Sequence, residues 1–160
     1  MDVCTMGNAI DNWQESIKKE GVVREFNGDS ASAIIHEEDI AEVFVHVLTE
    51  DGHHEKLYTL TGPETLSIID QVNIISEAIG KEIPFVELSK EEAIDKWKQE
   101  GYDDESIAFF IEMTTNTPEI GYTVLPTVEE LTGRPAKTFK EWKNINLFSF
   151  EIKKAGGSHE

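Results

Sequence analysis

Long apolar runs are missing from this 160-residue chain. No stretch reaches the ~18 consecutive apolar residues that a membrane-spanning helix needs, and the first residues, Met1-Asp2-Val3-Cys4, carry neither a basic segment nor a long apolar one, so no signal peptide is expected there. Cysteine occurs once, as Cys4, which excludes an intrachain disulfide and gives no sign of an oxidising compartment. Cys4 also has no histidine nearby, as a thiolate nucleophile would require, and a passive or frayed position is expected for it. Basic residues are scarce. Fourteen Lys and Arg stand against 32 Asp and Glu, a formal net charge of -18, and that balance repels phosphate backbones and anionic membrane surfaces. Nucleic acid and membrane are therefore excluded as partners, and the excess acidity is read as a solvated surface. Together these absences predict a cytoplasmic protein.

Chemical motifs are also missing. The eleven glycines are scattered, with no Gly-x-Gly-x-x-Gly turn and no Gly-x-x-x-x-Gly-Lys-Ser/Thr loop, so no cradle for a pyrophosphate is legible and no cofactor-binding residue is assigned. A tyrosine four residues ahead of a lysine, the usual short-chain dehydrogenase pair, fails at Tyr58 (Gly62 follows), Tyr102 (Ser106) and Tyr122 (Pro126). His53-His54-Glu55 is the best cluster of metal-ligand types, but adjacent loop residues rarely converge on one ion; no metal is expected. His36 with Asp39 is the next candidate, against the plainer reading that His36 ends a strand and Asp39 serves the following helix. The carboxylate runs Glu37-Glu38-Asp39, Glu91-Glu92, Asp103-Asp104-Glu105 and Glu129-Glu130 all stand at expected helix starts, where the helix dipole favours negative charge, and catalysis is not needed to explain them.

Hydrophobic residues make up 39% of the chain and charged residues 29%, enough for one domain with a real core. Three- and four-residue spacing predicts helices over 8–20 (Ile10, Trp13, Ile17), 37–50 (Ile40, Val43, Phe44, Val47, Leu48), 67–79 (Leu66, Ile69, Val72, Ile75, Ile79) and 103–116 (Ile107, Phe110, Ile111, Thr114). Capping boxes predict three more: Ser89 with Glu92, Thr127 with Glu130, and Thr138 with Glu141, the last helix running to about Leu147. Strands are expected at 22–26, 31–36, 56–61 and 83–88, the first two joined as a hairpin through Asn27-Gly28. The fold class is thus α/β, an α+β-like fragment with about four short strands and five to seven helices. Residues 1–150 form a single domain and 151–160 a flexible tail. So thin a sheet leaves apolar helix faces without cover, and part of the core is expected to be completed by another chain or by a missing half.

Four stretches, in this order and spacing, resemble a known family: Ile35-His36-Glu37-Glu38-Asp39-Ile40-Ala41, Leu48-Thr49-Glu50-Asp51-Gly52-His53, Leu57-Tyr58-Thr59-Leu60-Thr61-Gly62-Pro63-Glu64-Thr65-Leu66-Ser67, and Leu131-Thr132-Gly133-Arg134-Pro135-Ala136-Lys137-Thr138-Phe139. They are similar to the C-terminal half of NmrA-like proteins, atypical short-chain dehydrogenase/reductases of the nucleoside-diphosphate-sugar epimerase-like kind, and the likeness covers about residues 5–148. The resemblance implies an NAD(P)-dependent oxidoreductase or redox sensor whose N-terminal Rossmann half holds NAD(P) while the C-terminal half caps the substrate cleft. Thr5-Met6-Gly7-Asn8 matches the segment that follows the fifth strand, so the cofactor half lies outside these residues. It further implies that Met6 and Asn8 lie at the cleft floor, that His36 and Asp39 lie beneath it as substrate-side residues, and that the region around 103–117 is the lid. Catalytic residues stay unassigned. The expected partner is a Rossmann-half chain or a second copy, and the alternative function is a non-catalytic interaction or assembly module.

Overall fold

The computed structural model describes residues 5–146 together with Ser149 and Phe150. The expected tail at 151–160, and Cys4, lie outside the described residues. In chain order the elements are α1 (Asn8–Lys19), β1 (Val23–Phe26), β2 (Ala31–Ser32), α2 (Glu37–Thr49), β3 (Leu66–Ser67), α3 (Ile68–Ile79), β4 (Phe85–Leu88), α4 (Lys90–Gln99), α5 (Asp104–Thr115), α6 (Glu119–Tyr122), α7 (Thr127–Thr132) and α8 (Phe139–Asn146). The fold is α/β, with four short strands among the described residues. Among the described residues it has eight helices rather than five to seven, α6 having no counterpart in the sequence pattern.

The strands do not form the expected hairpin. β1 pairs in parallel with β4, from Val23 opposite Phe85 to Phe26 opposite Leu88, while β2 pairs antiparallel with β3. The reason lies at Asn27-Gly28. Both amides donate to the Glu87 carboxylate of β4, at 2.6 and 3.0 Å, so the turn residues are held by a strand distant in sequence. Asn27 takes a left-handed φ of 54°, which asparagine tolerates. The ring of Phe85 lies where a Cβ on Gly28 would point, 2.5 Å away, so a larger residue there would have to push that ring aside.

The strand expected at 56–61 is absent. Leu57 is exposed, and the backbone there makes no ladder. Its end is anchored: Thr61 and Gly62 are buried, Gly62 N–H donates to Ala33 O at 3.0 Å, and Thr61 Oγ1 accepts from the amide of Leu125 at 2.8 Å. A Cβ on Gly62 would stand 1.9 Å from the carbonyl oxygen of Ile34. Gly62→Ala is therefore expected to destabilise the fold by about 3 kcal/mol, the upper end of ordinary overpacking because the obstacle is backbone; a urea midpoint within error of the parent would contradict this.

Helix ends follow local chemistry. Ser67 with Asp70 and Ser89 with Glu92 form reciprocal capping boxes, and Thr138 with Glu141 makes the same pair of contacts. The box expected at Thr127 does not form. Pro126 caps α7 and no side chain accepts its first amides. Gly80 and Gly133 close α3 and α7 in the left-handed conformation.

The main core packs Trp13 and Ile17 of α1, Val72 and Ile75 of α3, and Phe139 and Trp142 of α8, with Met6 and Phe150. A smaller core joins Ile35 and Val43 to Val128 of α7, flanked by Ile40, Val47, Leu60 and Leu131. The broad apolar stripe read on 37–50 is only half used. Ile40, Val43 and Val47 pack inward, whereas Phe44 and Leu48 stand 60% and 80% exposed. Between α4 and α5, Phe110 is met edge-on by Trp97 and Tyr102 at 5.5 and 5.0 Å.

A buried acid sits in the wall between α1 and the parallel strands. Glu25 of β1 accepts from Trp13 Nε1 at 2.9 Å and from Lys96 Nζ at 3.3 Å. Burial raises its pKa above the ordinary 4.5, and Lys96 and Trp13 offset this only in part. A folded-state pKa above the unfolded one means that the folded chain holds this proton more tightly. The stability it contributes is full below the unfolded value and is lost as pH rises through the folded value. Glu25→Gln keeps an acceptor for Trp13 and is expected to be at least as stable as the parent at neutral pH and to lose that pH-dependent component. Urea titrations between pH 4 and 7, followed by tryptophan fluorescence, test this; identical pH slopes for the two proteins would contradict it.

Candidate functional site

The starts of α1 and α2 are brought side by side by backbone pairing. Thr5 and Ile35 form an isolated parallel bridge, and Met6 N–H donates to Ile35 O at 3.0 Å. Between the two helix starts and α8 lies a cleft of about 410 Å³, lined by Gly7, Ile10 and Asp11 of the first segment, His36, Glu37 and Glu38 of the second, and Trp142 and Asn146.

Its chemistry is set by charge at the two helix starts. The Glu37 carboxylate accepts the amide of Gly7, the residue that caps α1. This satisfies a donor at the positive end of the helix dipole. The contact also limits Gly7, since a Cβ there would lie 2.6 Å from Glu37 Oε1. His36 is buried and caps α2, its Nδ1 accepting from Glu38 N–H at 3.1 Å. An acceptor Nδ1 puts the proton of the neutral ring on Nε2, and that atom is buried with no hydrogen-bond partner among the described residues. Glu38 pairs with the Lys137 ammonium, which holds its pKa below the ordinary glutamate value.

Behind the cleft, α2 is clasped by the loop after α7. Asp39 is fully buried. Its Oδ2 accepts from Lys137 N–H at 2.8 Å, and Oδ1 lies 2.9 Å from Arg134 Nη2. Arg134 also donates from Nε to Glu42 Oε2 at 2.8 Å, and that bond lowers the Glu42 pKa.

The four substrate-side candidates therefore part company. His36 lines the cleft. Met6 is fully buried in the main core. Asn8 is exposed, its Oδ1 accepting from the Thr5 hydroxyl at 3.1 Å. Asp39 faces the 134–137 loop. The roles of Glu37 at Gly7 and of Arg134 at Asp39 were not legible, because both pairings span long sequence separations. His53, of the former metal candidate, meets the Tyr58 hydroxyl at 2.7 Å, and His54 is exposed; among the described residues no three or more His, Cys, Asp or Glu are placed to hold a metal ion together. A second, polar cleft of about 320 Å³ runs between the Asn27–Ala31 turn and the end of α5, the segment expected to be a lid, with Thr114–Thr117 and Tyr122 on its wall.

The first cleft does not fit the pyrophosphate of a nicotinamide dinucleotide. Its lining holds three carboxylates, Asp11, Glu37 and Glu38, and neither Lys nor Arg, and the amide best placed for an anion, that of Gly7, is taken by Glu37.

No protein-family model matches the chain. Among curated proteins it is 33% identical over 145 residues to the (4-alkanoyl-5-oxo-2,5-dihydrofuran-3-yl)methyl phosphate reductase of Streptomyces griseus, covering 91% of this chain and 51% of that one. It is 30% identical over 139 residues to the NAD(P)H azoreductase of Xenophilus azovorans, covering 86% and 49%. Among solved structures, the NADPH-dependent quinone oxidoreductase of Escherichia coli superposes with a TM-score of 0.75 at 22% identity, over 92% of this chain and 52% of that one. A Citrobacter triphenylmethane reductase gives 0.73 at 18% identity, over 92% and 51%. The chain thus spans about half the length of the curated relatives it matches. These homologues and fold neighbours are NAD(P)-dependent reductases of the NmrA-like, nucleoside-diphosphate-sugar epimerase-like type of short-chain dehydrogenase/reductase, and this chain is similar to them over about half their length.

Proposed function

We propose that this chain is the substrate-side, C-terminal half of an NAD(P)H-dependent reductase, and that it forms one wall of a site for a conjugated acceptor. The observation that carries the reading is the half-length match to reductases: curated relatives at 33% and 30% identity align over nearly all of this chain and half of their own. The chemistry at the cleft agrees with it. Ile10 supplies apolar surface for a flat molecule, the buried Trp142 and His36 back the wall, and the acidic lining rejects a dinucleotide's phosphates. The azoreductase, quinone oxidoreductase and triphenylmethane reductase to which the chain is similar are named for acceptors with extended conjugation, and that class is the one proposed here. The cofactor would be held by the other half of the fold.

The test separates the two halves. Calorimetric titration of this chain alone with NADPH and NADH is expected to give no binding heat. The chain joined to the complementary half of the Streptomyces reductase is expected to bind NADPH and to reduce a quinone or azo dye. Oxidation of NADPH by the 160-residue chain by itself would overturn the proposal. A second reading, a non-catalytic assembly module, is favoured by the outward apolar residues of α2. It predicts concentration-dependent self-association with no gain of NADPH binding in the joined protein.

A further inference from the structure

We infer that the first cleft selects its acceptor by charge, with Glu37 as the specificity-determining residue. It takes a conjugated molecule that carries a positive charge and turns away one that carries a negative charge; this deepens the proposed function above and rests on it. The three carboxylates of the lining share the cleft with neither Lys nor Arg. They do not count alike. Glu38 is neutralised by the Lys137 ammonium, and Arg134 is held by Asp39 and Glu42. Asp11 is exposed and makes no ion pair among the described residues, and Glu37 meets an amide rather than a cation. Nδ1 of His36, 3.7 Å from Glu37 Oε2, is itself an acceptor and offers no charge. Two negative charges of the lining therefore stand uncompensated. The chain's general acidity does not account for this, because the second cleft has one carboxylate, Asp29, among nine lining residues.

Glu37 acts twice. A helix start with a free amide attracts anions, and α1 starts at this cleft. The Glu37 carboxylate takes the Gly7 amide, which removes that attraction, and adds a negative charge of its own. The backbone is matched to this placement. A Cβ at residue 7 would lie 2.6 Å from Glu37 Oε1, so the glycine leaves room for the carboxylate. His36 is an independent mark of a ligand. It is 3% exposed and lines the cleft, and its Nε2 is a buried donor with no acceptor among the described residues. One molecule meets both needs, with a positive charge for the carboxylates and a carbonyl oxygen or azo nitrogen for the ring N–H.

Three azobenzenes of similar size test the selection: one bearing a para trimethylammonium group, one uncharged, and one bearing a para sulfonate. Each is brought to equilibrium by dialysis against the chain joined to the complementary half of the Streptomyces reductase. The expected order of affinity is cation, uncharged, anion. The cation-to-anion ratio is expected to be about a hundredfold at low salt and to shrink below about tenfold in about 0.5 M sodium chloride. Glu37→Gln keeps an oxygen for the Gly7 amide and loses the charge, and is expected to weaken the cation by about tenfold. Glu37→Ala also frees that amide and is expected to gain affinity for the sulfonate. Glu105→Gln, at an exposed acid on α5, reports on general acidity and is expected to change neither. Equal affinity for the three dyes, in a joined protein that binds NADPH, overturns the inference and leaves the proposed function standing. A cation preference that Glu105→Gln weakens as much as Glu37→Gln overturns it as well. A joined protein with native circular dichroism that binds neither NADPH nor any of the dyes sinks the proposed function, and this inference with it. Should the Glu37 variants fail to fold, Asp11→Asn, at an exposed position of the same lining, carries the expectation stated for Glu37→Gln.

Discussion

Phe139→Ala is expected to lower folding stability by about 3–5 kcal/mol, a large share of the roughly 5–15 kcal/mol that holds a domain of this size together. Phe139 is fully buried at the first turn of α8 and stacks on Trp142, with ring centroids 5.1 Å apart and planes 15° apart. Trp142 in turn meets Phe150 edge-on at 6.3 Å. The three rings fill the space among α1, α3 and α8, and no small side chain there can collapse into a gap of phenyl size. The helix itself is not the casualty. Thr138 and Glu141 still form its cap, and the amide at 139 still donates to Glu64 Oε1. The loss is therefore a packing loss, and Phe139→Leu should recover much of it. Because Trp142 also lines the cleft, the alanine variant is expected to shift tryptophan emission as well as the urea midpoint. A midpoint unchanged within error would show that α8 does not close the main core.

Arg134→Ala is expected to cost about 3 kcal/mol, through Asp39 rather than through its own lost contacts. Removing the guanidinium leaves a fully buried carboxylate with one remaining donor, the amide of Lys137. Breaking a buried pair in this way costs about 3–5 kcal/mol, and the lower end applies because Arg134 is itself 31% exposed and water can follow it in. Glu42→Gln, which disturbs the outer partner of the same arginine, should be nearly silent, as partly exposed ion pairs contribute little. In Asp39→Asn/Arg134→Ala the buried charge is gone, so the double variant is expected to be more stable than Arg134→Ala alone. Equal losses in the double and single variants would mean that the carboxylate's charge is not what Arg134 holds in place.

Much of the helical layer was legible because its signals are local. Trp13 and Ile17, Val72 and Ile75, and the Ser89–Glu92 pair lie within a turn or two of one another, and the chain folds there as spacing and capping dictate. The strands were harder for a physical reason. Asn27-Gly28 carries the local mark of a hairpin, yet Glu87, about sixty residues on, takes both of its amides and aligns β4 with β1 instead. The run Lys56–Thr61 has strand-like residues but no neighbour offering a ladder; its contacts are local ones to His53 and a tie at Thr61. At the site, the family resemblance pointed to the right segments and could not sort their side chains. His36 and Asp39 stand three apart on one helix start, but one edges the cleft while the other is turned toward a loop about a hundred residues away. Which carboxylate seizes the Gly7 amide depends on tertiary placement that no local pattern carries.

The clasp between α2 and the 134–137 loop has a kinetic corollary. Asp39 and Lys137 are 98 residues apart, Asn27 and Thr114 are 87 apart, and the parallel strands also meet across a long interval. Closing such wide loops spends chain entropy before any contact returns it, which places folding on the slow side, in milliseconds to seconds. On a ribosome, α1 and α2 would emerge with their apolar residues unclaimed and wait for Arg134, Phe139 and Trp142 to be added. Nascent chains paused short of that segment should therefore engage chaperones, and those extended past it should let them go.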